Sequence, residues 1–213
     1  MALSLETFTV GPLMENCYLL ADPNTNKAVL IDPGDEAPRL LAALEQASLT
    51  LEAIWLTHAH FDHVGAVADL LDKLTVPVYL HPADQTLYEN AAQAAQRWGI
   101  PLRQPTTPTR ALEDGDTLKL GDTEVQCLFT PGHAPGHISF YLPSEGYVLA
   151  GDALFKGSIG RTDLPLGDHA QLLESIETKL LPLPDNTVVY PGHGPETTIG
   201  AEKRNNPFLN YLV

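Results

Sequence analysis

Residues 57–63 read Thr57-His58-Ala59-His60-Phe61-Asp62-His63, and no other stretch limits so tightly what the chain can fold into. Three imidazoles and one carboxylate crowd into the positions from His58 to His63. The apolar run at 51–56 directly upstream reads as a buried strand, and 64–74 downstream reads as a helix. The cluster therefore sits on a strand-to-helix turn, where side chains can converge on one point. Imidazole nitrogen and carboxylate oxygen are the donors that divalent zinc takes, and iron and manganese accept them too. Four such groups this close resist burial unless a cation lies among them.

Three further sites repeat the pattern of a strand, a glycine and a ligand-capable side chain. His133 follows Thr130-Pro131-Gly132, Asp152 follows Ala150-Gly151, and His193 follows Tyr190-Pro191-Gly192. Open α/β sites form at strand ends along one sheet edge. The spacing thus predicts that His58, His60, Asp62, His63, His133, Asp152 and His193 meet at one edge. Five of the eight histidines are spent this way, which random surface placement would not give.

The rest of the chain supplies the frame. Strands are expected at 3–10, 17–21, 27–32, 51–56, 77–80, 117–120, 123–129, 138–142, 147–150 and 187–190. Helices are expected at 35–47, 64–74, 83–98 and 168–180. Residues 100–110, with Pro101, Pro105 and Pro108, read as a loop, and the segment from Thr198 as a short polar tail. Each half has several strands followed by at least one helix, so two sheets with helices outside would bury these strands on both faces. With 213 residues, one domain spanning 1–213 is expected. Cys17 and Cys127 lie far apart and read as small buried hydrophobes.

The histidine cluster, with His133, Asp152 and His193 after it, resembles the metallo-β-lactamase superfamily, and the likeness covers nearly the full chain. It implies a four-layer αββα sandwich with two metal ions between the sheets. By position, His58, His60 and His133 would hold the first ion, and Asp62, His63 and His193 the second. Asp152 would bridge them. Zinc is the expected metal, with iron or manganese as alternatives. Within that superfamily the chain is most similar to short glyoxalase II-like hydrolases, through the stretch 155–163 and the ending 198–209. Two departures stand out. Only twenty residues follow His193, where full-length glyoxalase II has a helical domain, and Gly194-Pro195 stand where that family places an aromatic residue. Recognition of glutathione is therefore left open.

The chemistry expected of such a site is thioester hydrolysis. Two divalent ions lower the pKa of a shared water from about 15.7 towards 7. Asp62 would hold the water's proton as well as bind metal. A thiolate leaves with a pKa near about 8.5 and needs no strong general acid, whereas an amide would. The expected substrate is a small acyl-thiol such as S-lactoylglutathione, with Lys156 and Arg161, and further off Lys203 and Arg204, as anchors for its carboxylates. His81, His137 and His169 are assigned to structure. The competing reading is a mononuclear iron persulfide dioxygenase, whose branch carries a Gly-Arg-Thr-Asp segment like that at 160–163.

Charge removes other classes. A net charge of −15 repels phosphate backbones and argues against nucleic acid. No run is long enough for a membrane span. The start has no basic segment or cleavage pattern, so a cytoplasmic location is expected and export as a β-lactamase is not.

Overall fold

The computed structural model describes residues 2–106 and 109–209. Its first half runs β1 (Ser4–Val10), β2 (Glu15–Asp22), β3 (Lys27–Ile31), α1 (Ala37–Gln46), β4 (Thr50–Trp55), α2 (Phe61–Val64), α3 (Val67–Leu71), β5 (Val78–Leu80), α4 (Gln85–Glu89), α5 (Ala91–Arg97) and β6 (Thr109–Ala111). The second half runs β7 (Thr117–Leu120), β8 (Thr123–Phe129), β9 (Ile138–Leu142), β10 (Tyr147–Gly151), β11 (Leu154–Phe155), β12 (Ser158–Ile159), α6 (His169–Ser175), β13 (Val188–Pro191), β14 (Thr197–Thr198) and α7 (Ile199–Asn205). One six-stranded sheet has the order β1-β2-β3-β4-β5-β6, and the other β14-β13-β10-β9-β8-β7.

The side-chain alternation of a strand explains the layers. Along β2 and β3, Tyr18, Leu20, Val29 and Ile31 point between the sheets, where they meet Phe140, Leu142, Val125 and Leu149. Their neighbours Cys17, Leu19, Ala28 and Leu30 point outward onto Leu40, Leu44, Val67 and Leu70 of the covering helices. In the second sheet Val148 and Ala150 face Leu172, Ile176 and Ile199. The result is helices, sheet, sheet, helices, the expected αββα sandwich. Both cysteines are fully buried and free.

Several boundaries differ from expectation. The first helix starts at Ala37 because Glu36 takes a left-handed conformation (φ 56°), with Pro38 in the first turn. The helix expected at 64–74 begins earlier, at Phe61, and breaks before Val67. The helix expected at 83–98 is interrupted at Asn90, whose side-chain amide donates to the Thr86 carbonyl (2.8 Å) and competes with the helical ladder. The loop expected at 100–110 ends in β6, which pairs with β5, while its Pro108 lies outside the described residues.

The supposed tail is the largest correction. Thr198 caps α7 through Ala201 N, and Ile199 is fully buried in the outer core. Buried Glu202 accepts from Thr197 Oγ1 (2.6 Å), Gly157 N (2.8 Å) and Asn206 Nδ2 (2.8 Å), which ties α7 to the β11–β12 turn. No helix among the described residues is long and apolar enough to cross a membrane.

Candidate metal centre

Strand direction brings the donors together. β3 and β4 run parallel, as do β10 and β13, and β8 shares their direction because both it and β10 pair antiparallel to β9. Each of these strands delivers a segment to one edge. Asp32 follows β3, His58 and His60 follow β4, Asp62 and His63 open α2, His133 follows β8, Asp152 follows β10, and His193 follows β13. Glycine makes the approach feasible at Gly192, where a Cβ would collide with Asp152 Oδ1 and with His63.

Six of the seven predicted donors meet in two groups of three. His58, His60 and His133 present one ligand atom each within 4.8 Å of one another, and so do Asp62, His63 and His193. His60 Nδ1 and His133 Nε2 are 2.8 Å apart. Asp152 lies between the groups: its Oδ2 is 3.4 Å from His133 Nε2 and 3.7 Å from His193 Nε2, and its Oδ1 is 3.5 Å from His63 Nε2. His58 Nε2, His63 Nε2 and Asp152 Oδ1 are buried without a hydrogen-bond partner. Native proteins rarely leave such atoms orphaned. Three orphans aimed at one space, flanked by further nitrogen and oxygen donors, fit a pair of divalent cations.

In His58, His63, His133 and His193 the other ring nitrogen is engaged outward, which fixes the ring. His133 Nδ1 donates to the Arg161 carbonyl (2.8 Å) and His193 Nδ1 to the Leu13 carbonyl (3.1 Å). His63 Nδ1 donates to Asp32 Oδ2 (3.1 Å), and His58 Nδ1 to Thr57 Oγ1 (3.0 Å). Thr57 Oγ1 in turn donates to Asp32 (2.5 Å). Asp32, Thr57, His58 and His63 therefore form one chain.

Electrostatics separate the groups. Burial holds His58 well below its ordinary pKa, and burial with the neighbouring His133 brings His60 down to about 3. Both stay neutral, the form that ligates. In the second group burial opposes the charges but loses: Asp152, Asp62 and Asp32 lift His63, while His63 and His193 hold Asp62 below the usual carboxylate range. A cation bound there would take over the role of the imidazolium.

Three supporting residues escaped the sequence reading or were given a lesser part. Asp32 was counted only as a strand end. It is left-handed (φ 50°), and its carboxylate accepts from Thr57 N (2.7 Å) as well as from His63 and Thr57 Oγ1. Asp84, fully buried, accepts from Ala59 N (2.8 Å) and from Gly136 N, so it ties the His58–His60 segment to the His133 segment. His137 is buried; its Nε2 accepts from Asp152 N (3.0 Å) while Nδ1 donates to Thr130 Oγ1 (2.8 Å). The weak signals for the two aspartates, Asp32-Pro33-Gly34 and His81-Pro82-Ala83-Asp84, are ordinary turn chemistry.

His60, Asp62, His133, Asp152 and His193 line a cavity of about 690 Å³, while His58 and His63 are fully buried outside its lining; its apolar walls are Phe61, Leu87, Ala94, Trp98, Phe155, Ile159, Leu164 and Pro165. Arg161 lines it, but its guanidinium is held by Asp163 through two bonds of 2.7 and 2.8 Å. Lys156 corrects the expectation: it is exposed and lies outside the lining, because the β11–β12 turn carries it outward. Lys203 instead pairs with Asp185 (2.6 Å). His81 stacks on Phe129 at 4.4 Å between ring centres, outside the site.

The sequence profile of the metallo-beta-lactamase superfamily matches residues 10–193. The chain is 43% identical over 210 residues to the hydroxyacylglutathione hydrolase GloC of Haemophilus influenzae, covering 98% of this chain and 99% of that one. Among solved structures it is similar to the BLEG-1 B3 metallo-beta-lactamase (42% identity, TM-score 0.91, 97% of this chain and 100% of the other). It is also similar to TTHA1623 in a di-iron-bound form (51%, 0.88, 96% and 100%) and to ETHE1 from Myxococcus xanthus (32%, 0.79, 96% and 83%). With the two donor groups, the aspartate between them and the sandwich already in place, these likenesses establish that the chain belongs to the metallo-beta-lactamase superfamily.

Proposed function

We propose that the chain is a dinuclear metal-dependent hydrolase that cleaves thioesters of small acyl-thiols of the S-lactoylglutathione kind. One observation carries this reading: two complete donor groups with Asp152 between them, of which His60, Asp62, His133, Asp152 and His193 line a cavity large enough for a small molecule. The likeness to the hydroxyacylglutathione hydrolase GloC supports the substrate class. When bound, the two ions supply an activated water at neutral pH and an electrophilic partner for the carbonyl oxygen.

The chain's own residues do the rest. Asp62 lines the cavity with its carboxylate held ionised, so it orients the attacking water by accepting its hydrogen bond. Phe61, Trp98 and Leu164 exclude bulk water from the reacting centre. Water adds to the carbonyl carbon, the C–S bond breaks, and the products are a carboxylic acid and a thiol. The thiolate, with a pKa of about 8.5, departs without a protein acid. Asp32, Asp84 and His137 act by positioning, since none of them lines the cavity.

The likeness to ETHE1 and the Gly160–Asp163 segment favour a second reading, a mononuclear iron persulfide dioxygenase. The complete second group weighs against it, because a one-iron site makes no use of three further donors at Asp62, His63 and His193. Metal analysis joined to a panel assay separates the readings. Two equivalents of metal, thiol release from thioesters and no oxygen uptake are expected. One equivalent of iron with oxygen consumption on a persulfide would replace this reading with the second, and faster turnover of a cephalosporin than of any thioester would replace it with amide hydrolysis.

A further inference from the structure

We infer that the C-terminal end of α5, at Arg97 and Trp98, builds a subsite for a large apolar group of the substrate, so that the preferred thioesters carry a medium-chain aliphatic or aromatic moiety. It rests on the thioester reading for the reacting bond alone and narrows the substrate class away from polar carriers such as glutathione. The cavity wall above the donors is made by Leu87, Phe61 and Trp98 on one side and by Leu164 and Pro165 on the other. Trp98 is 53% exposed although its indole lies 6.1 Å from the Phe61 ring, which leaves a large apolar face open to the cavity. The apolar character continues beyond the wall. Met14 and Leu166, 63% and 59% exposed, follow the lining residues Leu13 and Pro165 in sequence without lining the cavity themselves, and both have left-handed backbone (φ 57° and 72°). Exposed aliphatic side chains held on such backbone beside a cavity are what an apolar ligand would cover.

The polar inventory points the same way. Glutathione carries two carboxylates and an ammonium. Of the two cations lining the cavity, Arg161 is already held by Asp163, and only Arg97 makes no ion pair among the described residues. One free guanidinium beside an apolar wall suits a substrate with one anionic end and an apolar body. Each methylene buried there contributes about 0.8 kcal/mol, roughly fourfold in affinity.

The test uses two series on N-acetylcysteamine: acetyl and hexanoyl thioesters for turnover, and the uncleavable ethyl and hexyl thioethers for binding by calorimetry. Against the metal-loaded protein, hexyl is expected to bind at least about tenfold tighter than ethyl, and hexanoyl to exceed acetyl in kcat/KM by a similar factor. Trp98→Ala, at a position 53% exposed, should reduce both ratios at least about fivefold. Ratios near one in the native protein, or ratios unchanged by Trp98→Ala, would overturn the subsite. Equal binding of the thioethers with brisk thiol release overturns the subsite and leaves the hydrolase reading standing. Tight hexyl binding with no thiol release from any thioester does the reverse.

Discussion

The two donor groups lie a few ångströms apart yet are held by different means. The His58–His60–His133 group is set by its backbone: Asp84 accepts N–H bonds from Ala59 and Gly136 and so clamps two loops from opposite sheets. Its imidazoles are neutral because they are buried. The Asp62–His63–His193 group is set more by charge: Asp32 accepts a hydrogen bond from His63 Nδ1, and Asp152 and Asp62 lie close to the same ring. Loss of the Asp84 clamp should therefore show as lost stability, and loss of Asp32 behind His63 as lost metal affinity.

Four outcomes would break or sharpen that contrast. The largest effect is expected from His60→Ala, which removes a donor of the first group that is only half-buried. Turnover should fall by at least about 10³-fold while the thermal melt stays cooperative. Substantial residual activity would sink the site assignment. Next, Asp32→Asn keeps the left-handed backbone, which Asn tolerates, but weakens the acceptor behind His63. Affinity for the metal held by His63 should drop about 10–100-fold in a competition titration, and less for the one held by His58, which Asp32 reaches only through Thr57. Equal loss at both sites would deny the separation.

Asp84→Asn tests the backbone-held side. It sets an amide N–H₂ against a backbone N–H, and chemical denaturation should reveal a loss of about 1–3 kcal/mol. The effect should depend on pH. Burial raises the Asp84 pKa from 3.8 to about 6, so between those values the folded chain binds more protons than the unfolded one. The stabilisation this gives is fully present below pH 3.8 and disappears as pH rises through 6. The stability gap between native protein and variant should therefore narrow by about 1 kcal/mol from pH 5 to pH 7. A gap that widens would contradict the burial of this group. The smallest effect is expected for Thr57→Val, which severs the link from His58 to Asp32 and should cost up to about tenfold in metal affinity, seen in the same titration.

Much of the site was legible because ligand chemistry is local in residue type. Imidazoles two and five positions apart after a buried strand have few other uses, and Pro-Gly-His or Ala-Gly-Asp at strand ends repeats the theme. The layers were legible because residues 17–21 and 27–31 are apolar on both faces. The supports were not. Asp84 looks like the end of a turn, and its value comes from Gly136, fifty-two residues away. Residues 199–205 look polar because only Ile199 enters the core, while Glu202 is buried through bonds to Gly157 and Asn206. Lys156 and Arg161 looked alike as cations. The β11–β12 turn points one away and Asp163 occupies the other.

By itself the sequence determined the donor set and the alternating strands, because coordination chemistry and the two-residue period of a strand are written in neighbouring residues. Only the tertiary structure decided which carboxylates support the donors, which cation faces the cavity and how apolar its walls are. Hydrogen bonds and pocket walls join residues distant in the chain, and their partners exist only once both sheets have packed.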